Sequence, residues 1–132
     1  MSPLRVAVVG AGLIGRRRAL EAAGHPDSRC VVVTDPEPAR AAQVAEAAGA
    51  TPQDDWRAVV RRADVDAVVV STPNGLLCEI AVAALEAGKH VLVEKPMGRN
   101  LAEAERMRAA ALRAGRVLKV GPNCSKGPPG IS

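Results

Sequence analysis

Short apolar runs alternate with helical stripes along almost the whole chain. Leu4 to Val9 reads as a first strand. The helix that follows, roughly Leu13 to Ala23, is stopped by Gly24 and Pro26. Cys30 to Thr34 is a second strand. A second helix starts near Pro38 and puts Ala41, Val44, Ala45 and Ala48 on one face at helical spacing, with Gly49 ending it. Ala50-Thr51 allows at most a short third strand, after which Asp54 or Asp55 caps a helix carrying Trp56, Val59, Val60 and Ala63. Ala67 to Val70 is wholly apolar, as in the middle of a parallel sheet buried on both faces. Thr72-Pro73 opens the next helix as cap and first residue, Leu77, Ile80, Ala81, Ala84 and Leu85 form its buried stripe, and Gly88 closes it. Val91 to Val93 is a fifth strand. Asn100 and Glu103 are spaced as a capping box for a helix running to about Ala114, and Val117 to Val120 is a sixth strand. Six strands joined by helical crossovers predict an α/β fold, a doubly wound parallel sheet of Rossmann type in the order 3-2-1-4-5-6. The expected division is a domain over residues 1–120 and a Pro/Gly-rich tail over 121–132 without periodicity, expected to be disordered or loosely attached.

Composition agrees with such a sheet. A chain of 132 residues buries about two thirds of its unfolded surface, enough for one core. Trp56 is the single aromatic residue, so that core is built from Val, Leu, Ile and Ala; Trp56 is expected to pack on its helix face, with stacking against a cofactor as the alternative. A net charge of +4 raises the question of nucleic acid. The charges are dispersed and no aromatic platforms exist for bases, so neither a nucleic-acid nor a membrane partner is expected. Cys30, Cys78 and Cys124 match neither a metal spacing nor a redox pair, and no metal is expected. Cys30 and Cys78 read as small core residues in a reducing compartment. No apolar stretch reaches the ~20 residues of a membrane span. The first apolar run is already the first strand, and Arg16-Arg17-Arg18 follow it where an export signal would have its basic residues in front. The expected location is cytoplasmic.

The chemistry begins at Gly10-Ala11-Gly12-Leu13-Ile14-Gly15, directly after Val6-Ala7-Val8-Val9, with Asp35 twenty residues beyond the last glycine. A Gly-x-Gly-x-x-Gly alone is weak and would also serve as a turn in some other α/β protein. Between a strand and a helix, with an acid at that distance, it points to a dinucleotide. Gly10 makes the tight turn, Gly12 lets backbone approach a pyrophosphate, and Gly15 lets the helix pack close to the strand. With Leu13 and Ile14 these residues open a helix whose N–H groups receive phosphate. Asp35 would take the hydroxyls of the adenine ribose. Three more segments reach the same sheet edge: Ser71-Thr72-Pro73-Asn74, Glu94-Lys95-Pro96, and the tail. Ser71, Thr72 and Asn74 offer hydroxyls and an amide to ribose or phosphate, although a helix cap explains Thr72 equally well. Lys95 could hold or protonate a carbonyl oxygen beside a nicotinamide.

On these residues the chain resembles the glucose–fructose oxidoreductase, inositol dehydrogenase and rhizopine-catabolism family (Gfo/Idh/MocA). The matching stretches are Val8 to Arg17, Asp35-Pro36, Ser71 to Asn74, and Ile80 to Met107 with its Gly88-Lys89-His90-Val91-Leu92-Val93-Glu94-Lys95-Pro96 core; together they cover residues 4–120. The resemblance implies an oxidoreductase using NAD, with NADP as a further possibility, that moves hydride between the nicotinamide and a sugar, polyol or related hydroxy compound. It implies that Lys95 orients the substrate oxygen as the catalytic residue, that Glu94 and its backbone contact the nicotinamide ribose, and that the Lys95–Pro96 bond is cis. In the family a second α/β domain supplies the substrate wall, the main dimer surface and the rest of the proton relay. This chain departs from the pattern after Gly121, and Arg18 and Leu77 stand where many relatives carry His. The chain alone is therefore expected to bind cofactor without useful turnover, and homo-oligomerisation is an open expectation. His25 and His90 read as structural or solvated. Two other readings stand beside the enzyme: a free-standing NAD-binding module or sensor, and a flavin- or S-adenosylmethionine-binding protein, which gives no reason for the Glu-Lys-Pro loop.

Overall fold

The computed structural model describes residues 3–72, 74–94 and 101–120, with the backbone alone at residues 74 and 75. Its elements are β1 (Leu4–Val9), α1 (Leu13–Gly24), β2 (Ser28–Thr34), α2 (Pro38–Ala48), β3 (Thr51–Gln53), α3 (Trp56–Val60), β4 (Ala67–Val70), α4 (Asn74–Glu86), β5 (His90–Val93), α5 (Leu101–Ala114) and β6 (Leu118–Val120). The six strands form one sheet in the order β3-β2-β1-β4-β5-β6, every pair parallel, as the alternating pattern predicts. The tail, Pro73, Asn100 and Cys124 lie outside the described residues.

Strand periodicity distributes the core over both faces. On β1, Val6 and Val8 join Val33 and Val69 under α1 and α2, while Ala7 and Val9 join Val32, Val68 and Val70 under α4. Ile80, Leu85 and Met107 are the bulkiest fully buried side chains, and they anchor α4 and α5 to that second face. Each such side chain stabilises by about 1.5–3 kcal/mol relative to exposure, so aliphatic burial alone holds a domain with a single aromatic. Cys30 and Cys78 are buried free thiols in these layers, and burial pushes the Cys30 thiol up to about 11. No helix among the described residues is long and apolar enough to cross a membrane.

Element ends differ from the sequence pattern where polar contacts intervene. Asp55, rather than Asp54, caps α3, its carboxylate accepting the Arg57 N–H at 3.0 Å. That helix stops at Val60, before Ala63. The Lys89 ammonium donates to the carbonyl oxygens of Arg62 (2.6 Å) and Val65 (2.7 Å) in the segment that follows α3. β2 starts two residues early, because Ser28 pairs in register with Leu4 and its hydroxyl donates to Ala22 O. His25 and His90 are structural among the described residues: each Nδ1 accepts a backbone N–H, from Asp27 and Val117 respectively.

At the N-terminal edge of the sheet Arg5 grips Asp66 through its side chain (3.0 Å at both nitrogens) and its own backbone N–H (2.9 Å). These bonds, the side-chain ones first, hold the Asp66 carboxyl at about 2, below its ordinary 3.8. A carboxyl depressed in the folded state contributes stability that is full above its unfolded pKa and disappears as pH falls through the folded one. The Asp66 contribution should thus vanish between about pH 4 and pH 2, and its size is modest because the pair is partly exposed. Urea unfolding across that window should be flatter for Asp66→Asn than for the parent; identical acid limbs would remove Asp66 from the acid response.

Candidate functional site

Two strand ends meet where the strand order reverses. Val9 leads into the glycine turn, Val70 into Ser71-Thr72, and between them the C-terminal edges of β1 and β4 diverge, the location at which doubly wound sheets bind ligands. Backbone bonds fix this edge: Gly10 N–H donates to Thr34 O, Ser71 N–H to Val9 O, and Glu94 N–H to Val70 O, all at 2.8–3.0 Å. The three motif glycines then serve three different ends. Gly10 has φ +100°, and a Cβ there would stand 2.9 Å from the Ser71 carbonyl. A Cβ on Gly15 would stand 1.7 Å from the Gly10 carbonyl oxygen, so α1 is pressed against the turn more closely than any side chain permits. At Gly12 nothing lies within 4 Å of an added Cβ: this glycine faces open space.

Gly12 is the N-cap of α1, without a capping side chain and without an acid in the first turn. The first N–H groups of a helix have no intrahelical acceptor and carry the positive end of its dipole, so this terminus is arranged for an anion. Leu13 is highly exposed and Ile14 half-buried on that first turn.

Asp35, at the end of β2, is almost fully buried. Its Oδ1 accepts the Ala11 N–H at 2.7 Å and its Oδ2 the Glu37 N–H at 2.9 Å, while the Arg40 guanidinium stands 3.8 Å from Oδ2. The carboxylate thus ties the glycine turn to the β2 exit and keeps lone pairs for a ligand. Gly10, Gly12, Asp35, Arg40, Ser71 and Thr72 line a cavity of about 320 Å³ together with Pro36. It shares Asp35, Pro36 and Thr72 with a neighbouring slot of about 200 Å³ walled by Val9, Trp56, Leu76 and Ile80. Trp56 therefore does both things considered for it, packing on the core and facing the slot, with Arg57 stacked 4.9 Å from its ring.

Ser71 Oγ and Thr72 Oγ1 are buried and have no hydrogen-bond partner among the described residues. An unmet buried hydroxyl costs about 1–3 kcal/mol, and Thr72 makes no capping bond there to account for its presence. Both residues line the cavity that Gly12, at the α1 terminus, and Asp35 also line. This is the polarity a dinucleotide presents, with phosphate oxygens and ribose hydroxyls in one molecule, and the residues present fit it.

Glu94 is also nearly buried, but its carboxylate is engaged. Arg18 Nε donates to Oε2 at 2.8 Å and Nη2 to Oε1 at 3.4 Å, and Arg18 also reaches Glu21 at 3.0 Å. Sequence reading identified Arg18 only as a departure; its partner is 76 positions away, and no local signal connects them. Lys89 was missed for the same reason, the carbonyls it meets lying 27 and 24 positions away. Leu77, the other departure, is a core residue. Lys95, with the Lys95–Pro96 bond, lies outside the described residues, as does the side chain of Asn74 at the start of α4. A larger depression of about 800 Å³ opens at the opposite sheet edge around Arg5, Asp27, Arg29 and Asp66, where Arg5 and Asp66 already satisfy each other. Among the described residues no group of three or more His, Cys, Asp or Glu gathers as metal ligands would.

Fold and site together define a dinucleotide-binding Rossmann domain. The family model described as "Oxidoreductase family, NAD-binding Rossmann fold" (GFO_IDH_MocA) matches residues 4–122, and the chain belongs to that family, as its sequence motifs imply. It is 39% identical over 118 residues to the dTDP-3,4-didehydro-2,6-dideoxy-alpha-D-glucose 3-reductase of Actinomadura kijaniata, covering 89% of this chain and 36% of that protein. Among solved structures it is similar to KijD10, a 3-ketoreductase from Actinomadura kijaniata in complex with NADP and TDP-benzene (38% identity, TM-score 0.85, 91% of this chain and 37% of that one). It is also similar to GenD2 from gentamicin A biosynthesis in complex with NAD (32% identity, TM-score 0.87, 92% and 35%). The chain spans little more than a third of the length of these relatives.

Proposed function

We propose that this chain is the cofactor-holding part of an oxidoreductase that moves hydride between a nicotinamide dinucleotide and a sugar or sugar-like hydroxy compound. The observation that carries the cofactor half is the pair of orphaned buried hydroxyls, Ser71 Oγ and Thr72 Oγ1, at the cavity shared by Gly12 and Asp35. When bound, the nicotinamide would supply or accept the hydride. The residues described here bind and orient: the first turn of α1 receives the pyrophosphate, Asp35 the adenine ribose, and Ser71 and Thr72 the remaining polar groups. The slot beside Trp56 gives the adenine an apolar wall. Arg18 holds Glu94 and with it the end of β5, from which Lys95 departs; by family resemblance Lys95 then orients the substrate oxygen. The sugar-type substrate rests on the relatives, one named for a dideoxy-sugar nucleotide and one solved with a TDP ligand.

Trp56 makes the binding test direct, because the only tryptophan of the chain lines the slot that shares Asp35 with the cavity. Titration with NADH should quench it. Affinity for NADH should exceed that for NADPH by tenfold or more. A charge-assisted bond from ribose to Asp35 is worth ~1.5–3 kcal/mol, and a 2′-phosphate about 4 Å from that carboxylate is repelled by up to ~4 kcal/mol at an effective dielectric of 20. Equal affinities, or tighter NADPH binding, would show that Asp35 does not read the ribose.

A further inference from the structure

The two outer edges of the sheet are not alike. On β3 the middle residue is Pro52, which has no N–H to offer a further strand, so that edge is blunted. On β6 no proline intervenes, and its outer side meets no strand among the described residues. Val117 O, just before β6, accepts the Val91 N–H at 2.9 Å. By the alternation of a parallel ladder, the main-chain groups of Leu118 and Val120 then point away from β5. Between this edge and the end of α5 lies a depression of about 380 Å³. Leu112, 81% exposed, and the half-buried Leu118 and Val120 give it apolar walls. Arg108, Arg116 and Lys119 line it as well, with no acid in the described lining. Among the described residues neither Arg108 nor Lys119 has a carboxylate partner, and Arg116 uses only its Nε, on Gly88 O at 2.7 Å.

We propose that this edge is a docking site for an extended, acidic segment of a protein partner, which adds to the sheet beside β6. The outward N–H and C=O groups of Leu118 and Val120 are the groups an added strand pairs with, and such pairing gives affinity with little regard to sequence. Side chains supply the selection, because those of an added strand alternate between the two faces. Leu118 and Val120 pack on the core under α4 and α5, whereas Lys119 between them is exposed on the other face. An occupant with apolar residues on one face and carboxylates on the other matches both. Arg108 and Arg116 extend the positive field along the groove, which favours an acidic segment and repels a basic one. A second copy of the chain fits poorly, since pairing β6 with β6 sets Lys119 and Arg116 against like charges. Residues 121–132 fit poorly as well, with Lys126 and no Asp or Glu. Nucleic acid would meet the charges but leave the strand edge unpaired, and the groove has no aromatic ring for a base.

The test uses the full chain and a fluorescein-labelled heptapeptide alternating Glu with Val. Its fluorescence anisotropy should rise with the parent, and the same peptide with Lys for Glu should not bind. Lys119→Glu should weaken binding by about tenfold or more, and Arg108→Glu by less. Both side chains are exposed, and a thermal melt of each variant checks that the fold is kept. Affinity should fall as salt rises, because the charges lie at the surface. Any basic patch would satisfy those readings, so the decisive one is amide hydrogen exchange followed by NMR. Saturating peptide should slow exchange at the Leu118 and Val120 N–H groups by about tenfold or more, and leave the Lys119 N–H, which is directed at β5, unchanged. Failure of the peptide to bind, or binding with unaltered exchange at Leu118 and Val120, would overturn the proposal. Slow exchange at both amides before any peptide is added would also overturn it, because a second copy or the chain's own residues would then fill the edge. Tighter binding of an RNA oligonucleotide of equal charge would transfer the groove to nucleic acid and overturn it too.

Discussion

Replacing Gly15 by Ala should destabilise the domain by ~3 kcal/mol or more. Intrinsic preference argues the other way: Ala is favoured over Gly in a helix by ~1 kcal/mol, and Gly15 lies inside α1. The added methyl, however, would stand 1.7 Å from the Gly10 carbonyl oxygen and 2.8 Å from its carbon. Both atoms are backbone, so no side chain can swing aside. Relief requires α1 to withdraw by more than an ångström from the turn after β1, and that turn is pinned by the Gly10–Thr34 and Ala11–Asp35 bonds. Interiors packed near crystal density do not yield that far without losing contacts elsewhere, and overpacking costs ~1–3 kcal/mol even where neighbours can adjust. Thermal unfolding followed by circular dichroism should show the melting temperature falling by about 10 °C or more. A fall under about 3 °C, or a rise, would mean that α1 is not clamped as described.

The fold was legible because its signals are short-range. Strands such as Ala67–Val70 are continuous apolar runs, helices such as α2 repeat Ala and Val at one face, and glycine or proline punctuates most joins. The glycine turn and Asp35 were legible for the same reason, since a βαβ unit ties their separation to one crossover. Contacts between distant segments were not. Arg18 meets Glu94 only because α1 and the end of β5 converge on one sheet edge, and Lys89 turns inward only because the carbonyls after α3 end beside it. Thr72 shows the intermediate case. Its position before a helix explains a cap as readily as a ligand contact, and in the structure its hydroxyl is buried without a hydrogen-bond partner among the described residues.

The Arg18–Glu94 pair ties α1 to the end of β5. Both side chains are nearly buried, and the forked contact joins the middle of α1 to the last described residue before Lys95. A buried pair of this kind adds little net stability over a well-packed apolar one, but it fixes register strongly, because breaking it strands a charge. The helix whose N-cap, Gly12, lines the cavity thereby also holds the C-terminal end of β5.

Gly12→Val should abolish nucleotide binding and leave the domain folded, the opposite outcome to Gly15→Ala from a position three residues away. Gly12 has φ −74° and ψ −162°, an extended conformation that valine also adopts, and an added Cβ meets nothing within 4 Å. The cost to the fold is that of a poorer N-cap residue, on the order of 1 kcal/mol. The space such a side chain would fill is the cavity between the first turn of α1, Asp35 and Thr72. A branched side chain there keeps the pyrophosphate from the helix N–H groups. Charge-assisted hydrogen bonds are worth ~1.5–3 kcal/mol each, so losing two weakens binding by more than a hundredfold. Gly12→Ala, with a single methyl, should fall between parent and Val. The measurement is NADH titration beside a thermal melt of the same samples. Parent-like affinity in Gly12→Val would remove the phosphate site from the α1 terminus. A collapse of the melt would show instead that Gly12 serves the fold, and that the open space in front of it is not where the ligand lies.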